Sequence, residues 1–157
     1  MKIFLFLLVL KTSILFNPFD YKYEENKFNK TLVLNGLKGK LIKKKINDSE
    51  RFQGRYLGRM KTKSGQEYDV ISFSYLFNLK NSPTAESHIF FYDKQHLYVG
   101  SYHLNSTDEL PQRIIQNKLY FEIPGCKNKI IIDFSKGINP AINLGCGNEN
   151  NYYEFQK

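Results

Sequence analysis

The sequence predicts an all-β fold, a single antiparallel domain built as a meander, a small barrel or a sandwich, behind a hydrophobic N-terminal segment. Phe and Tyr supply much of the apolar bulk, with 13 and 11 copies among 157 residues, and aromatic side chains fit the pleated surface of a sheet. Short apolar runs recur between turn signals along the chain. Because a chain of this length buries one core, we expect one domain over residues 17–157.

The first 16 residues differ from the rest in composition. Lys2 precedes an apolar run from Ile3 to Leu10, and Lys11 separates this run from a second short apolar patch. This order is typical of a signal peptide, whereas a membrane-spanning helix needs roughly 20 apolar residues. We therefore expect residues 1–16 to be a signal peptide or an uncleaved hydrophobic anchor, and the protein to be periplasmic, in the cell envelope or secreted. A buried N-terminal strand is the alternative.

The first half of the domain is predicted to contain a long hairpin. Residues 20–30 lack a clear period and are expected to form a connector or an irregular strand. Asn35-Gly36 is typical of a tight turn between two strands, so extended segments are expected on either side of it. Residues 52–61 alternate between an apolar or small set and a largely basic set. The turn at residues 63–66 then leads into a strand at residues 67–77.

The second half is predicted to continue as a meander. Turn signals separate three further groups of strand-forming residues, and the last apolar group stands near the end of the chain. We count seven to nine short strands and expect no amphipathic helix after the N-terminal segment. The predicted strands are residues 87–92, 97–104, 113–115, 118–123, 129–134 and 152–155.

The sequence contains two cysteines, Cys126 and Cys146. In an exported protein they are expected to form a disulfide that closes a loop of about 20 residues. Two free thiols are the first alternative. A zinc site is the second, but it would need two further ligands, and neither a Cys-x-x-Cys motif nor paired His residues accompany these cysteines. We predict no metal and no cofactor.

A basic set of side chains is the candidate binding face. Arg55, Arg59 and Lys61 alternate along one predicted strand, Lys63 follows, and Lys43–Lys45 is a further basic run. The chain has a formal charge of +8, which attracts polyanions. A solvated, solubilising face is the first interpretation, because runs of charge usually lie on the surface. If the face binds a partner, the expected partner is an anionic protein or glycan. Nucleic acid is less favoured, because stacking platforms interleave cations with exposed aromatic rings, whereas Tyr56 is predicted to lie on the other face.

No catalytic motif stands out, so a non-enzymatic binding role, such as an inhibitor, an immunity-type partner or a cell-surface accessory, is the first hypothesis. His88, His96 and His103 are predicted to be ordinary turn or surface residues, because His96 and His103 point to opposite faces of a strand. A small secreted hydrolase such as a nuclease is the rival. It would combine Glu67 with an Arg and a His on the sheet, which supply acid, base and cationic stabiliser.

Four stretches of the sequence resemble small exported proteins of Bacteroidetes-type bacteria. This resemblance implies an exported location, and it implies no activity and no functional residues. The stretches are Phe90–Lys94, Tyr98–Tyr102, Asp108–Pro111 and Asn117–Leu119.

Overall fold

The computed structural model describes residues 20–147 and 149–157. The predicted signal or anchor segment, residues 1–16, lies outside the described residues. The described chain contains one α-helix, a short 3₁₀ helix at Thr107–Glu109 and ten strands. The elements are α1 (Tyr21–Asn35), β1 (Leu41–Asn47), β2 (Glu50–Lys61), β3 (Glu67–Phe77), β4 (Thr84–Asp93), β5 (Tyr98–Leu104), β6 (Arg113–Ile115), β7 (Lys118–Phe121), β8 (Ile130–Asp133), β9 (Ala141–Asn143) and β10 (Tyr152–Gln156).

Helix α1 corrects the prediction for residues 20–35 and the expectation of no helix after the N-terminal segment, whereas the extended segment predicted after Gly36 is present as β1. The Asp20 carboxylate accepts a hydrogen bond from the Tyr23 amide and caps the first turn. Gly36 adopts the left-handed conformation, with φ of 61°, and its amide donates to the Val33 carbonyl. Asn35-Gly36 therefore ends a helix rather than joining two strands, since the same positive φ serves a helix C-cap and a β turn. The buried face of α1 consists of Phe28, Asn29, Leu32 and Val33.

The large sheet has seven strands in the order β1-β2-β3-β4-β5-β10-β9. Strands β1 to β5 form an antiparallel meander, which confirms the predicted all-β architecture. Strand β10 then pairs with β5 on one side and with β9 on the other. The strands at the two ends of this sheet are β1 and β9.

A second sheet of three strands, in the order β6-β7-β8, lies across one face of the large sheet. The predicted hairpin around Gln116-Asn117 is confirmed as β6 and β7. Asn117 also holds the two sheets together, because its side chain accepts from the Lys61 amide at 2.9 Å and donates to the Lys61 carbonyl at 2.8 Å.

The large sheet has a core on each face. The core between the two sheets, here the intersheet core, includes Leu57, Val70, Phe91, Tyr102 and Phe134, all at most 1% exposed. The core under α1, here the helix-side core, contains the remaining large apolar side chains of the central strands. Its members are Phe28, Leu32, Val33, Phe52, Ile71, Phe73, Phe90 and Tyr92.

The predicted disulfide is confirmed: Cys126 and Cys146 are bonded, with their Cα atoms 5.4 Å apart. The bond links the loop between β7 and β8 to the segment between β9 and β10, so it ties the small sheet to one edge of the large sheet. Disulfides of this kind persist in oxidising compartments. In the described part of the chain, no helix has the length and apolar character needed to cross a membrane.

Candidate functional site

A β-bulge in β2 decides where the predicted basic side chains lie. The register with β3 shifts between Tyr56 and Gly58, and Gly58 has φ of 127°. Beyond the bulge the alternation restarts on the other face, so Leu57 and Met60 both enter the intersheet core. The expected continuous alternation over residues 52–61 is therefore interrupted. Arg55 consequently lies on one face of the sheet, and Arg59 lies on the other.

Before the bulge, basic side chains of β1 and β2 form a compact group that we call the basic face. Lys45 lies opposite Arg51, Lys43 opposite Gln53, and Leu41 opposite Arg55. Residues that lie opposite one another project to the same side of a sheet, with Cβ atoms about 4.5 to 5.5 Å apart. The charged members of the basic face are Lys43, Lys45, Arg51 and Arg55.

The basic face lies on the same side of the large sheet as the small sheet, but beyond it. Lys43 and Lys45 remain exposed. Arg55 is half-buried, and its Nη1 donates to the Gln112 side-chain oxygen at 2.9 Å, while the Nε atoms of Arg51 and Arg55 are buried without a partner. Asp48 offsets part of the charge through Lys45, at 2.5 Å between Nζ and Oδ1. The surface therefore combines exposed lysine ammonium groups with half-buried arginine guanidinium groups.

After the bulge, the predicted residue Arg59 belongs to a different cluster, centred on the fully buried Asp69. The Arg59 Nε and Nη2 donate to the two Asp69 oxygens at 3.0 and 2.8 Å, and the Tyr56 hydroxyl donates at 2.7 Å. The Asp69 hydrogen bond raises the pKa of the Arg59 guanidinium. Burial, and then Asp69, raise the pKa of the Tyr56 hydroxyl. Asp69 thus fixes both side chains in place.

This cluster contains the residue types that the hydrolase hypothesis required. Nδ1 of His96 is 3.3 Å from Asp69, and Glu67 is 3.9 Å from Arg59. However, Arg59 donates from Nε and Nη2 to Asp69 and has its Nη1 3.9 Å from Glu67, so two carboxylates already neutralise its charge. Lys61 is likewise 3.6 Å from Glu67. The arrangement is that of a structural ion-pair network.

Lys63, the fourth predicted residue, lies in the turn after β2, where its amide donates to the Ser135 carbonyl at 2.7 Å. Its side chain is exposed. The structure therefore distributes the predicted set over three places: Arg55 joins the basic face, Arg59 and Lys61 face carboxylates, and Lys63 lies in a turn. Arg51 was missed, although it continues the alternation of Gln53 and Arg55 towards the N-terminus.

The three histidines separate into a pair and a single residue. His88 and His103 lie opposite each other on β4 and β5, with ring centroids 4.6 Å apart. Burial, and then the neighbouring His103, lower the pKa of His88 to about 4. His96 lies in the turn between the two strands and contacts Asp69 instead. No group of three or more potential metal ligands occurs within the described residues.

The fold and the site geometry define a two-sheet β sandwich with a helix on the outer face of the larger sheet and a basic face beside one edge strand. The chain matches no family model, and no curated protein or solved structure is similar to it.

Proposed function

We propose that this protein is an exported, non-enzymatic binding domain that captures an acidic, extended segment of another protein along β1. The observation that carries the proposal is the position of the basic face, directly beside the edge of β1 that pairs with no other described strand. The disulfide and the apolar run Ile3–Leu10 support the exported location.

The edge of β1 offers backbone groups as well as charge. In the large sheet β1 pairs with β2 alone and is seven residues long, so one side of the strand presents amide and carbonyl groups to an added strand. An acidic peptide would combine main-chain hydrogen bonds with ion pairs to Lys43 and Lys45. An anionic glycan would use only the charges, which is why a protein segment is the favoured partner.

The same charges discriminate between partners. Lysines on an edge strand prevent pairing with another copy of the same strand. The positive side chains of β1 and β2 would repel a second β1 and attract a strand with alternating carboxylates. Selection of one partner and rejection of another by the same charges is a common source of specificity.

The test uses an acetylated and amidated peptide with alternating Glu and Thr, of roughly ten residues, which is the upper end of common strand lengths and long enough to cover the seven residues of β1. We expect it to bind and to protect backbone amides of β1 from hydrogen exchange. The double variant Lys43→Glu/Lys45→Glu should bind roughly tenfold more weakly, because each lost surface ion pair contributes up to about 1 kcal/mol. Affinity is measured by fluorescence anisotropy at low and high salt.

Lys127→Glu/Lys136→Glu is the matched control, because it makes the same change of net charge at exposed positions away from β1. Equal losses in both double variants would mean that only overall charge attracts the peptide. A sulfated oligosaccharide is tested in parallel. If it binds more tightly than the peptide, and the peptide leaves the β1 amides unprotected, the partner is a glycan and not a protein segment.

A further inference from the structure

A cleft of about 450 Å³ opens on the opposite side of the large sheet from the basic face, between the start of α1 and strands β4, β5 and β10. It exists because α1 packs on β2 and β3, whereas the same face of the sheet continues across β4 and β5 beyond the helix. The residues that define its chemistry are Tyr21, Glu25, Glu86, His88, Phe90 and Tyr98.

Two carboxylates give the cleft its charge. Burial is the main cause that raises the pKa of Glu25, and the nearby Glu86 raises it further. Among the described residues, neither Glu25 nor Glu86 takes part in a salt bridge, and Lys22 at the rim is exposed. A half-buried carboxylate without a cationic partner has lost solvation and gained no compensating charge.

Aromatic faces line the floor of the cleft. The Phe90 ring stacks on His88 with centroids 5.1 Å apart, and Tyr98 meets Phe90 edge to face at 6.0 Å. With a pKa of about 4, His88 is neutral at physiological pH and does not repel a cation. Its Nδ1 is buried and has no hydrogen-bond partner among the described residues. The Tyr21 hydroxyl interacts with Glu25, and this hydrogen bond opposes the rise that burial causes in the pKa of the Glu25 carboxyl.

We propose that this cleft binds an organic ammonium group, either that of a small free amine or that of a lysine side chain on another protein. The carboxylates supply the counter-charge, and the aromatic rings contribute cation–π attraction, worth about 0.5 to 2 kcal/mol when the cation is partly desolvated. An anion would be repelled by Glu25 and Glu86. A metal ion would prefer a larger set of oxygen ligands than two carboxylates.

This site is independent of the acidic-peptide site, because the two lie on opposite faces of the large sheet. Loss of one activity therefore leaves the other testable in the same protein preparation.

The test titrates the full chain with n-butylammonium chloride and, in parallel, with n-butanol, which has a similar apolar body and no charge. Binding is followed by NMR from the ring protons of Phe90 and Tyr98 and the backbone amide of Ser101. We expect shifts with the ammonium probe, and we expect n-butanol to cause none at equal concentration. Glu25→Gln should weaken ammonium binding by about tenfold or more.

Glu24→Gln is the matched control, because Glu24 is the neighbouring helical residue and faces Lys44, at 2.5 Å, instead of the cleft. It should leave ammonium binding unchanged. Equal binding of n-butanol, or equal losses in the two variants, would overturn the proposal. Thermal unfolding of both variants checks that the fold is retained.

A third probe separates the two sources of the ammonium group. Acetylated and amidated lysine carries the same group on a peptide backbone. If it binds more tightly than n-butylammonium, the natural ligand is a lysine of another protein; if it binds more weakly, the ligand is a free amine. Absence of binding by both probes would overturn the assignment.

Discussion

The two faces of the large sheet differ in how completely they are covered. The intersheet core is apolar and is closed by a second sheet and a disulfide. On the other face, within the described residues, helix α1 packs on β2 and β3 and leaves a cleft open over β4 and β5. One face is therefore closed by a second sheet, whereas the other keeps two half-buried carboxylates, Glu25 and Glu86, in an open cleft.

The largest expected effect comes from the intersheet core. Phe91 is fully buried and packs against Tyr102, Phe134 and Phe155. Phe91→Ala should lower the free energy of unfolding by about 3 to 5 kcal/mol. Phe28→Ala, under the helix, should cost at least about 1 kcal/mol less, because the helix can shift and water can reach the space. Urea unfolding measures both, and equal costs would contradict the difference between the faces.

The disulfide gives the next effect. Replacing both Cys126 and Cys146 by Ser should lower the free energy of unfolding by roughly 3 kcal/mol, since a loop of about 20 residues is no longer closed in the unfolded chain. Hydrogen exchange should rise most at β9, β10 and the small sheet. If hydrogen exchange instead rises most at α1, the disulfide does not stabilise the intersheet side separately from the helix side.

The effect that is smallest at neutral pH is a sensitivity to acid on the helix side. Because the pKa of His88 is about 4 in the folded protein and about 6.5 in an unfolded chain, the unfolded state binds more protons between these values. The stabilising contribution is complete above about pH 6.5 and is lost as the pH falls towards 4. Urea midpoints across this range should fall less steeply for His88→Gln than for the unchanged protein.

His96→Asn is the control for that experiment, because His96 lies in the turn against Asp69 and not in the pair with His103. The urea midpoints of both variants are compared over the same pH range. If His96→Asn flattens the dependence and His88→Gln does not, the acid sensitivity belongs to the Asp69 cluster.

Most of the sheet could be predicted from local sequence. The hairpins β2–β3, β4–β5 and β6–β7 follow from strand-forming residues around turn residues, such as Gln116-Asn117, both of which adopt positive φ. The disulfide could also be predicted, because the sequence contains two cysteines and they have one possible pairing. These features depend on near neighbours in the sequence, which is why reasoning from periodicity reached them.

Helix α1 and the bulge could not be read in the same way. The apolar face of α1 is marked by Tyr21, Phe28, Leu32 and Val33 among three Lys and three Asn residues. Its end signal, Asn35-Gly36, also occurs in β turns. The bulge before Gly58 moves Arg59 to the other face without a pattern that distinguishes it. Tertiary packing decides both.

The candidate cleft could not be predicted, because its residues come together only through strand pairing and helix docking. His88 and His103 become neighbours only when β4 and β5 pair with a shift between Phe91 and Tyr92. Glu25 reaches the same place only when α1 docks on the sheet. Helix α1 and the β4–β5 hairpin, which lies far from it in the sequence, therefore build one site, and neither carries a motif by itself.

The position of β10 has a consequence for the order of folding. Strands β1 to β5 can assemble from successive hairpins, whereas β10 must return from far along the chain to pair with β5, and β9 reaches the sheet only through β10. Contacts between distant segments form more slowly than local ones. A molecule that has assembled only the first five strands would therefore expose β5 as a second open edge. When the β9–β10 hairpin pairs with β5, this edge is covered and no longer promotes aggregation.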